Sequence, residues 1–541
     1  MRALVLLFLG LGCVTPKPSI SDSSPTSLKV IGSPNVAVEG SRIVAADSTA
    51  SPSESGRVID AHGGTIVPAL TDAHGHVVGL GLSLVRVELR SCRSPEDCAG
   101  RVRDMLAKVP SGSWIQGRGW DQNLYPDQQF PTRAALDAVA PNMPVYLRRV
   151  DGHAAWANSE ALRRAKITRD TPDPPGGKIL KDAQGEPTGI LIDRAEELVE
   201  NAIGLPSEAE VEQAILRAQD LLVSQGLTSV HEMGISPGVA DVYLRLAHEG
   251  RLKIRIYAHW SADPETLEEA FRRGPLHAGP DDLFSLRAIK IYADGALGSR
   301  GAHLKAPYSD DPHNTGLVLT PASEIERISR RALAAGFQVS THAIGDAANH
   351  DVLEAYARAG VTPAARFRIE HAQIVDPADI PRFAQLGVIA SMQPTHGTSD
   401  MPWAEKRVGR ARLAGAYAWH RFLDAGVHLA FGSDFPVELS DPRLGLFAAI
   451  TRTDLHGQPP GGWLPDQTLT VEQTLRAFTT GAAYAAFEEG WRGELRPGQA
   501  ADLTVFDGPL DTPEHIVKRK VLMTIVAGRV VFDARAAERP Q

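Results

Sequence analysis

Apolar, strand-like runs recur down this chain at 65–73, 227–231, 252–259, 286–294, 338–342, 367–371, 388–392 and 427–434, with helix-like stretches between them. That alternation restricts the fold more than any other feature. Strands joined by helices form a parallel sheet, either a βα barrel or a doubly wound sheet. The runs number eight, which fits an α/β TIM (β/α)8 barrel. The first connection, from about residue 80 to about 225, is far too long for one helix and must hold an inserted subdomain.

The two ends of the chain read alike. Short β-like pieces separated by turn residues lie at 27–31, 35–38, 42–44 and 57–60, and again at 502–506 and 521–532. Edge strands need partners, so the ends are expected to build one small composite β-sandwich. The expected organisation is 28–64 and 491–541 in that sandwich and 65–490 in the barrel. Ahead of them, Arg2 precedes an apolar run over 3–9 and the small-residue exit Gly10-Leu11-Gly12-Cys13. This is too short to span a bilayer and reads as a signal peptide over 1–13. Its end resembles a bacterial lipobox with Cys13 as the lipidated residue, followed by a polar tether over 14–27. An exported, lipid-anchored protein facing the periplasm is the expectation. In that oxidising compartment, Cys92 and Cys98 are expected to form a small loop disulfide.

A hydrophobic content of 43% and a net charge of −9 describe an ordinary soluble protein. They give no basic footprint for nucleic acid and no membrane contact beyond the anchor. They leave a homo-oligomer open.

The polar residues at the carboxyl ends of the runs carry the chemistry, because that end is the catalytic face of a barrel. In His74-Gly75-His76 the imidazoles at i and i+2 share a face and suit one metal ion. His342 ends the fifth run, His371 the sixth and Asp434 the eighth. Lys290 alternates with Ile289 and Ile291, so it points into the barrel. A lysine there must be paired, deprotonated or chemically modified.

The order H-x-H, Lys, His, His, Asp resembles that of the amidohydrolase superfamily. The surrounding words resemble its family-3 branch, which includes N-substituted formamide deformylases. They include Gly117-Arg118-Gly119-Trp120-Asp121, Asp151-Gly152-His153, His342-Ala343-Ile344-Gly345-Asp346 and Gly432-Ser433-Asp434-Phe435-Pro436. One departure is Pro68-Ala69-Leu70, where Pro-Gly is usual.

The resemblance implies that His74, His76 and Asp434 bind one metal and His342 and His371 a second. Lys290, carboxylated by carbon dioxide, would bridge two Zn(II) ions. Water activated by metal would attack a carbonyl carbon, with Asp434 as general base and then acid. The expected substrate is a small amide-like molecule, an N-acyl or N-formyl amine. A cyclic amide hydrolase and a deaminase share the same ligand set, and a binding protein that lost catalysis should lack a ligand. His396, Arg300, Trp120, Asp121 and His153 are further candidates for shaping the substrate pocket.

Overall fold

In the computed structural model, which describes residues 27–47, 57–107, 109–149, 154–174 and 177–537, eight parallel strands stand side by side in chain order. They are β1 (Thr71–Gly75), β2 (Ser229–Ile235), β3 (Arg255–Ser261), β4 (Phe284–Tyr292), β5 (Gln338–Ala343), β6 (Arg368–His371), β7 (Ile389–Met392) and β8 (Leu429–Phe431). Parallel strands sandwiched between a packed interior and helices are buried on both faces. Nearly every residue of these strands is accordingly buried. Ile289, Ile291, Val339 and Ile369 join the main apolar core.

The seam between β8 and β1 closes through a single bridge, Gly75 to Phe435. His76 N–H donates to Phe435 O at 2.8 Å, and Asp434 N–H to His74 O at 2.7 Å. Asp72 reinforces the seam: it accepts from the Ser433 hydroxyl at 2.7 Å and from His74 N–H at 3.0 Å. Burial pushes its carboxyl up to about 7, against those hydrogen bonds. Gly75 and Gly432 are demanded by this closure. A Cβ on Gly75 would lie 2.5 Å from the Phe435 ring, and one on Gly432 would lie 2.5 Å from Asp72 Oδ1 and His74 N.

The run expected as one strand over 65–73 is split. Residues through Pro68 belong to the long strand Arg57–Pro68, and the barrel strand starts at Thr71. Arg57–Pro68 pairs parallel with Ser27–Ser33 and antiparallel with Leu503–Phe506, so it joins the two chain ends. Leu28, Val30 and Ile59 from one end share a core with Leu503, Val505 and Met523 from the other. Ala69, at the turn into the barrel, has φ +44°, the left-handed region that favours glycine.

The insertion is a sheet of six strands between Val87–Glu88 and Pro187–Asp193. The following helix, Glu208–Ser224, starts on a Ser207–Glu210 capping box. Its Val211, Ile215, Ala218 and Leu222 stripe packs into the main core, so this helix belongs to the barrel.

The expected disulfide is not formed: Cys92 and Cys98 are free, buried thiols. Cys98, in the helix Pro95–Leu106, contacts the Tyr125 hydroxyl at 3.3 Å. Both thiols lie in the apolar core of the insertion, where they pack as small apolar groups. Cys13 and His153 lie outside the described residues.

Candidate metal centre

Parallel strands all end at one face, so residues far apart in the chain converge there. His74 Nε2 lies 3.5 Å and His76 Nε2 3.1 Å from Asp434 Oδ1. The His371 ring lies 4.7 Å from His74 and 4.5 Å from His342. His74, His371 and Asp434 offer ligand atoms within 4.8 Å of one another. These residues, with His76, Lys290, His342 and His396, line one cavity of about 460 Å³. Asp434 and His371 both have positive φ, +61° and +75°. Such strained backbone is concentrated at functional sites.

His74, His342 and His371 are held in the form a cation needs, whereas the Asp434 carboxylate pulls His76 the other way. His74 Nδ1–H donates to Glu370 Oε2 at 2.6 Å, leaving Nε2 toward Asp434. Arg368 pins that carboxylate at 2.7 Å and also donates to Ala73 O and Ser391 Oγ. His371 Nδ1–H donates to Gln393 Oε1 at 2.7 Å, which frees its Nε2. Burial holds the imidazoles of His74 and His371 well below the usual range and takes His342 to about 3. Neutral imidazole is the ligating form. Burial would raise the Asp434 carboxyl, but its electrostatic contacts with His74 and His76 and the His76 hydrogen bond hold it well below the carboxylate range.

Lys290 is 1% exposed. Its Nζ, like His342 Nε2, has no hydrogen-bond partner among the described residues. Burial pulls its ammonium down to about 8, against Glu370 and Asp434. Buried unsatisfied groups of this kind need an explanation. Neutral imidazoles, an ionised carboxylate and unsatisfied donors gathered on one cavity fit a divalent cation.

The other candidates divide. His396 lines the cavity, its Nε2 3.8 Å from Asp434 Oδ2. Arg300 does not line it. It ion-pairs with Asp310 at 3.0 Å and braces its own loop. Trp120 is fully buried in the core of the insertion against Phe130 and Trp156, its Nε1–H on Leu147 O. Asp121 pairs with Arg149 at 2.8 Å. A register shift at Gly119, φ +108°, turns Trp120 inward and leaves the insertion's Arg118 on the cavity. Sequence reasoning missed Glu370, Arg368 and Gln393. The only signal was their position beside or between strand ends already singled out.

Known proteins resemble this chain along most of its length. The model of a family described as the amidohydrolase family matches residues 57–532. The Bacillus subtilis (strain 168) protein YtcJ, whose name calls it an amidohydrolase, is 34% identical over 88% of this chain and 90% of its own. The N-substituted formamide deformylase of Arthrobacter pascens is 27% identical over 88% of this chain and 90% of its own. A solved metal-dependent hydrolase from Pyrococcus horikoshii OT3 superposes with a TM-score of 0.75. It shows 28% identity and covers 89% of this chain and 95% of that one.

Proposed function

The chain belongs to the amidohydrolase family, and on that premise we propose that it hydrolyses an N-acyl or N-formyl amine at a centre of two divalent ions, Zn(II) by preference. As a member it is an enzyme of carbon–nitrogen bonds other than peptide bonds. The observation that carries the finer reading is Lys290, a buried amine with no hydrogen-bond partner among the described residues, beside the histidine cluster. A lysine pulled down to about 8 offers more of the neutral amine, the form that adds carbon dioxide, than an ordinary lysine does. Its carbamate would be an anionic oxygen donor on the cavity that His74 and His342 also line. His74, His76 and Asp434 would hold one ion, His342 and His371 the other.

Ions in such a site lower the pKa of water and polarise a carbonyl. Asp434, kept ionised, accepts the proton of the attacking water and returns it to the leaving nitrogen. The products are a carboxylic acid and an amine. The deformylase among the relatives supports the formyl or acyl class.

The test is elemental analysis of protein purified without chelator, beside Lys290→Ala and Asp434→Asn, and turnover of a panel of N-formyl and N-acyl amines. About two ions per chain, falling in Lys290→Ala, with amine release abolished in Asp434→Asn, is the expected outcome. One ion, indifferent to Lys290→Ala, sinks the bridge. Release of ammonia from an amidine-like ring instead of an amine moves the reading to a deaminase.

The apolar start and small-residue exit of the chain support a second proposal: export with lipidation at Cys13. No helix among the described residues is long and apolar enough to cross a membrane, so attachment would rest on that anchor. Labelled palmitate should enter the full chain in a bacterial host and not Cys13→Ser. Equal labelling of both, or none, refutes it.

A further inference from the structure

Two glutamines meet the histidines of the site with opposite ends of their carboxamides. Gln393 offers its oxygen to His371, while its NH2 turns back to Ser391 O at 3.4 Å, which orients the group. His371 therefore carries its proton on Nδ1 and keeps a lone pair on Nε2. Gln373 does the reverse. Its Nε2–H donates to His396 Nδ1 at 3.0 Å. An accepting ring nitrogen carries no proton, so the proton of His396 sits on Nε2.

That N–H has nothing to donate to. His396 Nε2 is buried and lacks an acceptor among the described residues. Asp434 Oδ2, at 3.8 Å, is beyond hydrogen-bond range. The His396 ring stacks on His371 at 5.8 Å and lines the same cavity as the proposed acid–base group. A buried donor left unmade is expensive, and a ligand that brings its own acceptor relieves it. The polar atom that a C–N hydrolase substrate must bring next to its acid–base group is the carbonyl oxygen.

We propose that His396 Nε2–H donates to the carbonyl oxygen of the scissile bond as that oxygen gains negative charge. Gln373 is then a positioning residue that sets the tautomer. No covalent bond forms on His396, and its proton stays on the ring. The inference rests on the hydrolytic reading above.

Two measurements test it on the metal-loaded full chain. The first is 15N NMR of histidine-labelled protein, with His396→Phe assigning the signal. It should show the proton on Nε2 in the wild type and a shift toward Nδ1 in Gln373→Leu. The second is turnover of the best N-acyl or N-formyl amine with metal content measured in parallel. His396→Phe should lower kcat about 100- to 1000-fold, with KM little changed and metal retained. His396→Asn, which keeps a side-chain N–H, should recover part of the loss.

A proton on Nδ1 in the wild type overturns the proposal. So does an unchanged kcat, or a loss confined to KM. Should His396→Phe fail to fold or load metal, the wild-type tautomer and the Asn variant decide. If the loaded wild type hydrolyses no member of the panel, the functional reading fails, while the tautomer still decides the donor assignment.

Discussion

Gly75→Ala should disable the centre without touching a single ligand. The added methyl would stand 2.5 Å from Cε1 and Cζ of Phe435 and 3.0 Å from Cε2. Carbon atoms settle at roughly 3.5–4.0 Å, so the ring must retreat by about 1 Å or more. It has nowhere to go: Phe435 is fully buried, and its carbonyl holds His76 N–H at 2.8 Å. Its neighbour Asp434 is tied to His74 O at 2.7 Å. Overpacking of this kind costs about 1–3 kcal/mol. A shift of about 1 Å at a reacting group costs on the order of 100-fold in rate. We expect a lower urea midpoint, weaker metal retention and kcat down about 100-fold by that relation. Gly75→Ala/Phe435→Leu should recover much of the loss, because the shorter side chain makes room. Wild-type kcat and midpoint in Gly75→Ala would refute the packing argument for the glycine between the histidines.

Glu370→Gln removes the anion that holds His74 Nδ1–H and strands Arg368 in the barrel. Metal affinity by chelator competition should fall about 10- to 100-fold, and unchanged affinity would deny Glu370 its orienting role. Chelation of the native enzyme should lower its urea midpoint, a loss of about 4 kcal/mol of stability where free ion stood 1,000-fold above its Kd. Adding Zn(II) back should restore it. Ala69→Gly relieves a left-handed alanine and should stabilise by about 0.5–1 kcal/mol net of the added chain entropy; a loss of stability would contradict that strain. Burial pushes Glu196 up to about 7 against the pull of Arg148. The folded chain then keeps a proton that the unfolded chain releases near 4.5. Stability from this group is full below that pH and lost as pH rises through 7. Glu196→Gln should flatten the decline, seen in urea midpoints from pH 5 to 8.

The barrel and the ring of candidate ligands were readable because both are properties of order along the chain. Apolar period and run count name the architecture, and strand ends of parallel strands must gather on one face. Once His74, Lys290, His342, His371 and Asp434 sit at those ends, their convergence follows. The misreadings share a cause: local words do not say which way a side chain turns. Trp120 and Arg118 stand two apart, yet the shift at Gly119 sends one into a core and the other to the cavity. Arg300 finds Asp310, ten residues on, before it can meet a ligand.

By itself, then, the sequence determined the fold class, the pairing of the two chain ends, the large insertion and which candidate ligands gather on one cavity. The tertiary structure alone decided what each ligand can do. Glu370 and His371 are adjacent and should face opposite ways in a strand. Both reach the site because His371 leaves strand geometry at φ +75°. Glu370 meets His74, and Gln393 and Gln373 sort the protons of His371 and His396. Hydrogen bonds between residues 22 to 296 positions apart set those tautomers. Such distances exist only once the barrel has closed.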